Sequence, residues 1–194
     1  MKNIRKLVLT GIFSGIGFVL MLLDFPLPFL IPSFIKLDFS ELPALICAFA
    51  AGPVWGVAVC LIKNLLHLLV TTTGGVGELA NFLLGAAFVL PAGLFYRFRK
   101  TKTGALWGCL AGAALAALVS VPVNYFITYP FYMNFMPAEA ILAAYQALLP
   151  SVNSLLQALV IFNMPFTFGK FAIDATVTFL IYKRLSPFLK GKKS

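Results

Sequence analysis

Six apolar runs, separated by short polar or proline-rich connections, occupy nearly all of the 194 residues. A helix needs about 20 mostly apolar residues to cross roughly 30 Å of hydrocarbon. Since 61% of the residues are hydrophobic and 11% are charged, a water-soluble core could not bury this much apolar surface. The chain is therefore predicted to be an all-α integral membrane protein, a single transmembrane domain over residues 1–194. Its six predicted helices span residues 6–23, 41–51, 54–70, 78–95, 104–127 and 155–182.

The basic residues are concentrated in three places. Lys2, Arg5 and Lys6 precede the first run, Arg97, Arg99, Lys100 and Lys102 lie in a central loop, and Lys183, Arg184, Lys190, Lys192 and Lys193 end the chain. Short loops rich in Lys and Arg stay in the cytoplasm, so both termini and the central loop are predicted to be cytoplasmic in a multi-pass protein of the bacterial cell membrane. The net charge of +9 then reflects orientation and attraction to anionic lipids. Nucleic-acid binding is not expected, because no soluble fold presents these residues.

Polar residues on the sixth predicted helix mark a candidate functional face, since polar groups are costly in hydrocarbon. Asn163, Thr167, Lys170 and Asp174 are spaced i, i+4, i+7 and i+11, which places all four on one side of a helix. An alternative is that Lys170 and Asp174 form a self-contained i, i+4 ion pair. A polar stripe descending from the outer side of the membrane is the interpretation that favours a binding pocket.

Two further helices place polar groups at a similar depth. They are Glu78 and Asn81 on the fourth predicted helix, and Asn124 and Tyr125 on the fifth. Carboxamides donate and accept hydrogen bonds, which suits the edge of a heteroaromatic ring. The set therefore predicts an outward-facing pocket, with simple interhelical hydrogen bonding as the alternative.

The third predicted helix carries Lys63, Asn64 and His67. A single imidazole without a second His or a carboxylate at ligand spacing is a poor metal site. We expect interhelical hydrogen bonds instead, with Lys63 bonded to Asp38 or Glu41. The three cysteines lie inside apolar runs and are interpreted as buried side chains, with no disulfide and no metal site.

Small residues on the first predicted helix offer a surface that another helix could approach closely. Gly11 and Gly15 have small-xxx-small spacing, with Ser14 three residues after Gly11, and Gly108, Gly112 and Ala116 repeat the spacing on the fifth helix. The spacing leaves open which of the two faces is internal. Catalysis is not expected, because Gly11 to Gly15 lacks the G-x-S-G spacing of an intramembrane serine protease and the chain has one His.

Two blocks of sequence resemble the substrate-binding S components of energy-coupling factor (ECF) transporters. The first is Phe34-Ile35-Lys36-Leu37-Asp38-Phe39-Ser40-Glu41-Leu42-Pro43 with the following Gly52-Pro53 and Leu61 to His67. The second comprises Gly77 to Leu83 and Asn163-Met164-Pro165-Phe166-Thr167-Phe168-Gly169-Lys170, which is most similar to the riboflavin-specific branch. That branch usually has Asn three residues before its Lys, where this chain has Thr167.

The resemblance implies a six-helix S-component bundle whose first outer loop, with Leu37 and Asp38, covers a vitamin held by the fourth to sixth helices. It implies riboflavin as the transported ligand, with flavin mononucleotide as a second candidate, and no cofactor. The small residues of the first helix would then dock a transmembrane coupling subunit that works with two ATP-binding subunits. The chain has no G-x-x-x-x-G-K-[ST] loop with which to hydrolyse ATP itself. An S component for another vitamin and a non-transport assembly subunit are the alternatives.

Overall fold

The computed structural model describes the fold of residues 2–190 and the side chains of residues 3–181. Its helices are α1 (Lys2–Leu22), α2 (Glu41–Ala51), α3 (Pro53–His67), α4 (Val76–Phe98), α5 (Lys102–Val123), α6 (Tyr129–Tyr132), α7 (Ala138–Gln146), α8 (Leu155–Ala158) and α9 (Met164–Lys190). A 3₁₀ turn, Leu68–Val70, extends α3, and two short strands, β1 (Phe25–Pro26) and β2 (Lys36–Leu37), pair antiparallel.

Five helical segments within the described residues are long and apolar enough to cross a membrane. They are Asn3–Leu22, Pro53–Val70, Val76–Phe98, Lys102–Tyr132 and Leu155–Ile181. The sixth predicted span, α2, has 11 residues and covers only about 16 Å. Nearly all of its side chains are buried inside the bundle, so α2 is enclosed by protein and does not need to match the bilayer thickness.

The turn between α2 and α3 follows directly from its two residues. Gly52 has φ +117°, a conformation that favours glycine, and Pro53 occupies the first position of α3, where its fixed φ suits a helix start. This turn shares one end of the bundle with Lys6, Arg97 and Lys100, as the predicted topology requires. The orientation of that end in the membrane stays a prediction. The basic cluster from Lys183 onward lies outside the residues whose side chains are described.

Two segments predicted to be loops contain secondary structure. The proline-rich loop holds the β1–β2 pair, in which Phe25 is opposite Leu37, together with a surface ion pair between Lys36 Nζ and Asp24 at 3.0 Å. The outer loop at residues 129–151 contains α6 and α7. Pro137 precedes α7, and Ile141 and Tyr145, one helical turn apart, are both buried. The sequence therefore contained a helical spacing of apolar residues that could have predicted α7.

The small-residue face of α5 packs internally, against α4. A Cβ added to Gly108 would lie 2.7 Å from Phe95 Cβ, and one added to Gly112 would collide with the Phe88 carbonyl oxygen. On α1, by contrast, a Cβ added to Gly11 or Gly15 would meet no atom within 4 Å. The structure therefore places Gly108 and Gly112 of α5 inside the fold, whereas Gly11 and Gly15 of α1 face outward.

Gly112→Ala is expected to lower the free energy of unfolding by about 1–3 kcal/mol, because the added methyl overpacks the α4–α5 contact. Gly11→Ala is the matched control, since the same change in open space is expected to leave stability unchanged or slightly raised. A thiol-reactive dye measures both, because Cys47, Cys60 and Cys109 are buried unpaired thiols that become reactive on unfolding. Equal unfolding midpoints for the two variants would contradict the prediction.

Candidate functional site

A cavity of about 170 Å³ lies between the proline-rich loop, the start of α4, the end of α5 and the start of α9. Six of the side chains predicted from the sequence to bind a ligand line it: Asp38, Asn81, Asn124, Asn163, Thr167 and Lys170. The stripe on the last helix is buried as predicted, with Asn163 3% exposed and Asp174 fully buried, and buried Thr178 extends it by one turn. Side chains separated by more than 130 positions thus converge on one space.

Paired charges form one wall of the cavity. Lys170 Nζ lies 2.8 Å from Asp38 Oδ2 and 3.3 Å from Glu41 Oε2. The other Glu41 oxygen, Oε1, lies 2.5 Å from the Nζ of Lys63, whose side chain is fully buried. One carboxylate therefore bridges two ammonium groups, which satisfies the requirement that buried charges be paired.

The remaining hydrogen bonds of Lys63 tie three elements together. Its ammonium donates to Ser40 Oγ in the loop and to Asn81 Oδ1 on α4, the latter at 3.0 Å. The predicted interhelical bond from Lys63 is thereby confirmed, with Glu41 as the ionic partner. Burial opposes ionisation of Asp38, but the charges of Lys170 and Lys63 and hydrogen bonds from Lys170 and Ser40 outweigh it and hold the pKa of Asp38 below its usual range.

The alternative in which Lys170 pairs with Asp174 is wrong. Lys170 turns to Asp38 and Glu41, because the loop and α2 bring two carboxylates to the same side of its helix. Neither carboxyl oxygen of Asp174 has a hydrogen-bond partner among the described residues. Lys170 therefore links α9 to the loop that covers the cavity.

Two π-helical turns position two of the three carboxamides that line the cavity. Asn124 begins the first turn, Asn124–Thr128, and Asn163 ends the second, Leu159–Asn163. A proline follows each turn by two residues, Pro130 in α6 and Pro165 in α9. Because a proline ring clashes with the carbonyl four residues earlier and supplies no N–H, the widened turn relieves the conflict. Prolines inside apolar runs were the sequence signal for these irregular turns.

The two asparagines differ in how they are engaged. Asn124 Nδ2 donates to the Ser120 carbonyl at 2.8 Å, and its Oδ1 has no hydrogen bond to another described residue. Asn163 Oδ1 accepts a 2.6 Å hydrogen bond from Tyr145 Oη. Asn124 is therefore available as an acceptor in the cavity, whereas Asn163 is held by the protein. The Thr167 hydroxyl also has no hydrogen bond within the described part of the chain.

Aromatic side chains form a second part of the cavity wall, and sequence reasoning did not single them out. Phe34, Tyr129, Tyr132, Phe166 and Phe171 line the cavity. The Phe34 ring meets Tyr129 and Tyr132 edge-on, at centroid distances of 6.2 and 6.4 Å. An aromatic wall facing polar groups suits a planar heteroaromatic ligand.

Tyr145 anchors this wall from outside the cavity. Its hydroxyl is hydrogen-bonded to the Tyr129 hydroxyl and donates to Asn163, which joins α7 to α6 and to the start of the last helix. Burial, and after it the neighbouring Tyr129, raises the pKa of Tyr145, so the phenol stays a neutral donor. Asn163 Nδ2 lies 3.4 Å from Tyr129 Oη and completes the triangle.

Three predicted site residues do not line the cavity. Glu78 Oε1 lies 2.8 Å from His67 Nδ1, and its other oxygen accepts from Thr73 at 2.9 Å, so it ties α3 to α4. Leu37 is buried in β2, opposite Phe25, and Tyr125 is 40% exposed on the outside of the helix. Binding by Leu37, Glu78 and Tyr125 stays a prediction. The expected interhelical hydrogen bond of His67 is confirmed.

The residues predicted to dock a partner divide between two sides of α1. Gly11 and Gly15 are exposed and have open space around them. Ser14 is 1% exposed, and its hydroxyl donates to the Thr10 carbonyl at 2.7 Å. The outward face therefore consists of the two glycines with apolar neighbours such as Ile12 and Ile16, 54% and 45% exposed.

Comparisons of the sequence and of the structure with known proteins point to the same protein family. The family described as "ECF transporter, substrate-specific component" matches residues 5–182. The "Riboflavin transporter RibU" of Staphylococcus aureus (strain TCH60) is 35% identical over 191 residues, 98% of this chain and 95% of that protein. The "Riboflavin transporter FmnP" of Bacillus subtilis (strain 168) is 33% identical over 99% of this chain and 97% of its own length. A solved structure described as "Structure and mechanism of the S component of a bacterial ECF transporter" superimposes with a TM-score of 0.76 at 32% identity, covering 98% of this chain and 99% of that one.

Proposed function

The chain belongs to the family of ECF transporter substrate-specific components, and from that premise we propose that it binds riboflavin at the outer face of a bacterial cell membrane for inward transport. Membership of a transporter family makes it a membrane transport component and not an enzyme. The observation that carries the proposal is the cavity that joins an aromatic wall to carboxamides and an ion pair, in a chain a third identical to riboflavin transporters over nearly its full length.

The chemistry of the cavity fits a flavin. The isoalloxazine ring is planar and aromatic, which suits the Phe34 and Tyr129 wall, and its edge presents carbonyls and ring nitrogens. Lys170 and Thr167 can donate to carbonyl oxygens, and the unengaged Asn124 Oδ1 can accept from a ring N–H or a ribityl hydroxyl. Thr167 replaces the carboxamide usual in the riboflavin branch, and we assign it one hydroxyl-mediated contact.

The cavity must enlarge to admit riboflavin. Its 170 Å³ is below the range of about 300–1,000 Å³ typical of small-molecule sites. The segment best placed to move is the loop at residues 24–40, which lines the cavity through Phe34, Lys36 and Asp38 and is held by a two-residue strand pair and by the Asp38–Lys170 ion pair. We therefore propose that loading displaces this loop.

Titration of the detergent-solubilised protein into riboflavin, followed by flavin fluorescence, tests the proposal. Saturable quenching at one riboflavin per chain is expected, and it should weaken in Asn124→Ala. Unlabelled thiamine, biotin and folate should not restore the emission, whereas competition by flavin mononucleotide would add a second ligand. A folded, ligand-free protein that leaves flavin emission unchanged, or that binds one of the other vitamins instead, would overturn the assignment of the cargo.

Tyr145→Phe is expected to weaken riboflavin binding by about tenfold, because it leaves the buried Asn163 carbonyl without its donor and frees the Tyr129 hydroxyl to rotate. Tyr125→Phe removes the same atom from an exposed ring outside the cavity, so on this geometry it is expected to change affinity by less than about twofold, against the binding role predicted for Tyr125 from the sequence. The same fluorescence titration measures both. Equal effects of the two substitutions would contradict the geometry.

We further propose that a coupling subunit and two ATP-binding subunits power transport, since the chain has no P-loop of its own. The exposed glycines of α1 are the proposed docking face. Gly15→Trp is expected to reduce ATP-driven uptake at least about tenfold by blocking close helix approach, while riboflavin binding to the isolated chain stays unchanged. Gly15→Ala is the size control, and uptake by Gly15→Trp at the unsubstituted rate would exclude this face.

A further inference from the structure

A second cavity, of about 320 Å³, lies at the opposite end of the bundle from the candidate site. It is enclosed by the start of α1, the turn between α2 and α3, and the end of α4. Both cavities are lined by α2 and α4, but no residue lines both. On α4, Asn81 lines the first cavity and Arg97 the second, and 16 residues of helix separate these positions by about 24 Å. The second cavity is therefore independent of the vitamin site.

Its polar lining is cationic. Lys6, Arg97 and Lys100 contribute side chains, and no Asp or Glu lines the cavity. None of the three has a salt bridge within the part of the chain that the structure describes. Like charges gathered at one cavity repel one another, so an anion bound there would be favoured by all three.

The rest of the lining is apolar and aromatic. Phe49, Trp55 and Tyr96 form the wall, with the Phe49 and Tyr96 rings 4.8 Å apart, and Val54 stands at the edge with 70% of its surface exposed. Trp and Tyr are enriched where a protein crosses the membrane–water boundary, and basic pockets between helices at that level suit anionic headgroups. A free anion would use the cations alone, whereas a lipid would also cover the exposed valine.

We propose that this cavity binds the phosphate group of an anionic phospholipid from the leaflet that contacts this end of the bundle. Arg97, Lys100 and Lys6 contact the phosphate, and the glycerol and upper acyl chain lie against Trp55 and Val54. The lipid thereby fixes the α2–α3 turn to the end of α4. Basic residues here serve as a defined lipid site in addition to any role in orientation.

Trp55 provides a reporter within the site. In a Trp107→Phe background it is the one remaining tryptophan of the chain. The protein is reconstituted into phosphatidylcholine bilayers containing equal fractions of either brominated phosphatidylglycerol or brominated phosphatidylcholine, since bromine quenches tryptophan on contact. We expect the anionic lipid to quench Trp55 with an apparent affinity at least about fivefold higher.

Charge-neutral variants assign the preference to the cavity. Arg97→Gln and Lys100→Gln are expected to abolish most of this preference, while Arg99→Gln, between them in the sequence but outside the lining, should retain it. Unchanged unfolding midpoints of the variants establish that the fold is intact. Equal quenching by both lipids, or a preference that survives Arg97→Gln and Lys100→Gln together, would overturn the proposal.

A separate arm distinguishes the source of the phosphate. Inorganic phosphate is added to the protein in phosphatidylcholine bilayers without brominated lipid, and Trp55 emission is followed. A saturable change that depends on Arg97, combined with equal quenching by the two brominated lipids, would show a site for free phosphate and overturn the lipid assignment. No response to phosphate, with the anionic lipid preferred, supports it.

Discussion

Lys170→Met is expected to lower the affinity for riboflavin by about a hundredfold. Lys170 lines the cavity, pairs with Asp38 at 2.8 Å and Glu41 at 3.3 Å, and is 11% exposed. Removing one partner of a buried ion pair costs about 3–5 kcal/mol. The hundredfold loss of affinity corresponds to about 2.7 kcal/mol of that cost. The substitution removes a donor to the ligand and the ion pair that would hold the loop closed once the ligand is bound.

Lys36, a lysine in the loop that covers the cavity, supplies the control. Lys36 also lines the cavity, but its side chain is 46% exposed and its partner is Asp24 at the surface. Exposed ion pairs contribute about 0–1 kcal/mol, so Lys36→Met is expected to weaken binding by less than about fivefold. Flavin fluorescence titrations give both affinities. Lys170→Met binding as tightly as Lys36→Met would show that the buried pair does not support the ligand.

Lys63→Met is expected to lower the free energy of unfolding by about 3–5 kcal/mol, the largest effect on stability that we anticipate. Lys63 does not line the cavity, and its ammonium joins Glu41, Ser40 and Asn81. Glu41 keeps an ionic partner in Lys170. The stability is lost because the loop, α2, α3 and α4 are no longer joined by the Lys63 ammonium. Dye-monitored unfolding of the ligand-free protein measures it.

Two further variants test whether the loss comes from the ion pair. Lys63→Met combined with Glu41→Gln is expected to cost less than the sum of the single substitutions, because neither charge is then left unpaired at that junction. Lys102→Met, at an exposed position, is expected to change stability by less than about 0.5 kcal/mol. Additive losses for Lys63 and Glu41 would contradict the role of the pair.

Local pattern carried most of what the sequence predicted. The apolar runs located the long helices, and helical spacing placed Asn163, Thr167, Lys170 and Asp174 on one buried face. The resemblance to S components, drawn from two short blocks, is confirmed by the match over residues 5–182. These predictions succeeded because a helical period and a sequence motif each depend on residues that are close together in the sequence.

Contacts between distant segments were not predictable in the same way. The Asp38–Lys170 pair joins positions 132 residues apart, and no period in either segment indicates it. For that reason Lys170 was paired with its helical neighbour Asp174 in the alternative now excluded. The roles of Tyr129 and Tyr145 likewise arise from α7 folding back over the cavity, in a stretch that was read as a loop.

The shared carboxylate of Glu41 has an electrical consequence. Asp38 and Glu41 carry two formal negative charges, and Lys63 and Lys170 two positive ones, so this cluster of four side chains is neutral as a whole. Displacing it along the membrane normal performs no net work against the transmembrane voltage, whereas one uncompensated charge would contribute about 2.3 kcal/mol per 100 mV. These four side chains therefore add no voltage dependence of their own to any displacement of the cavity along the membrane normal.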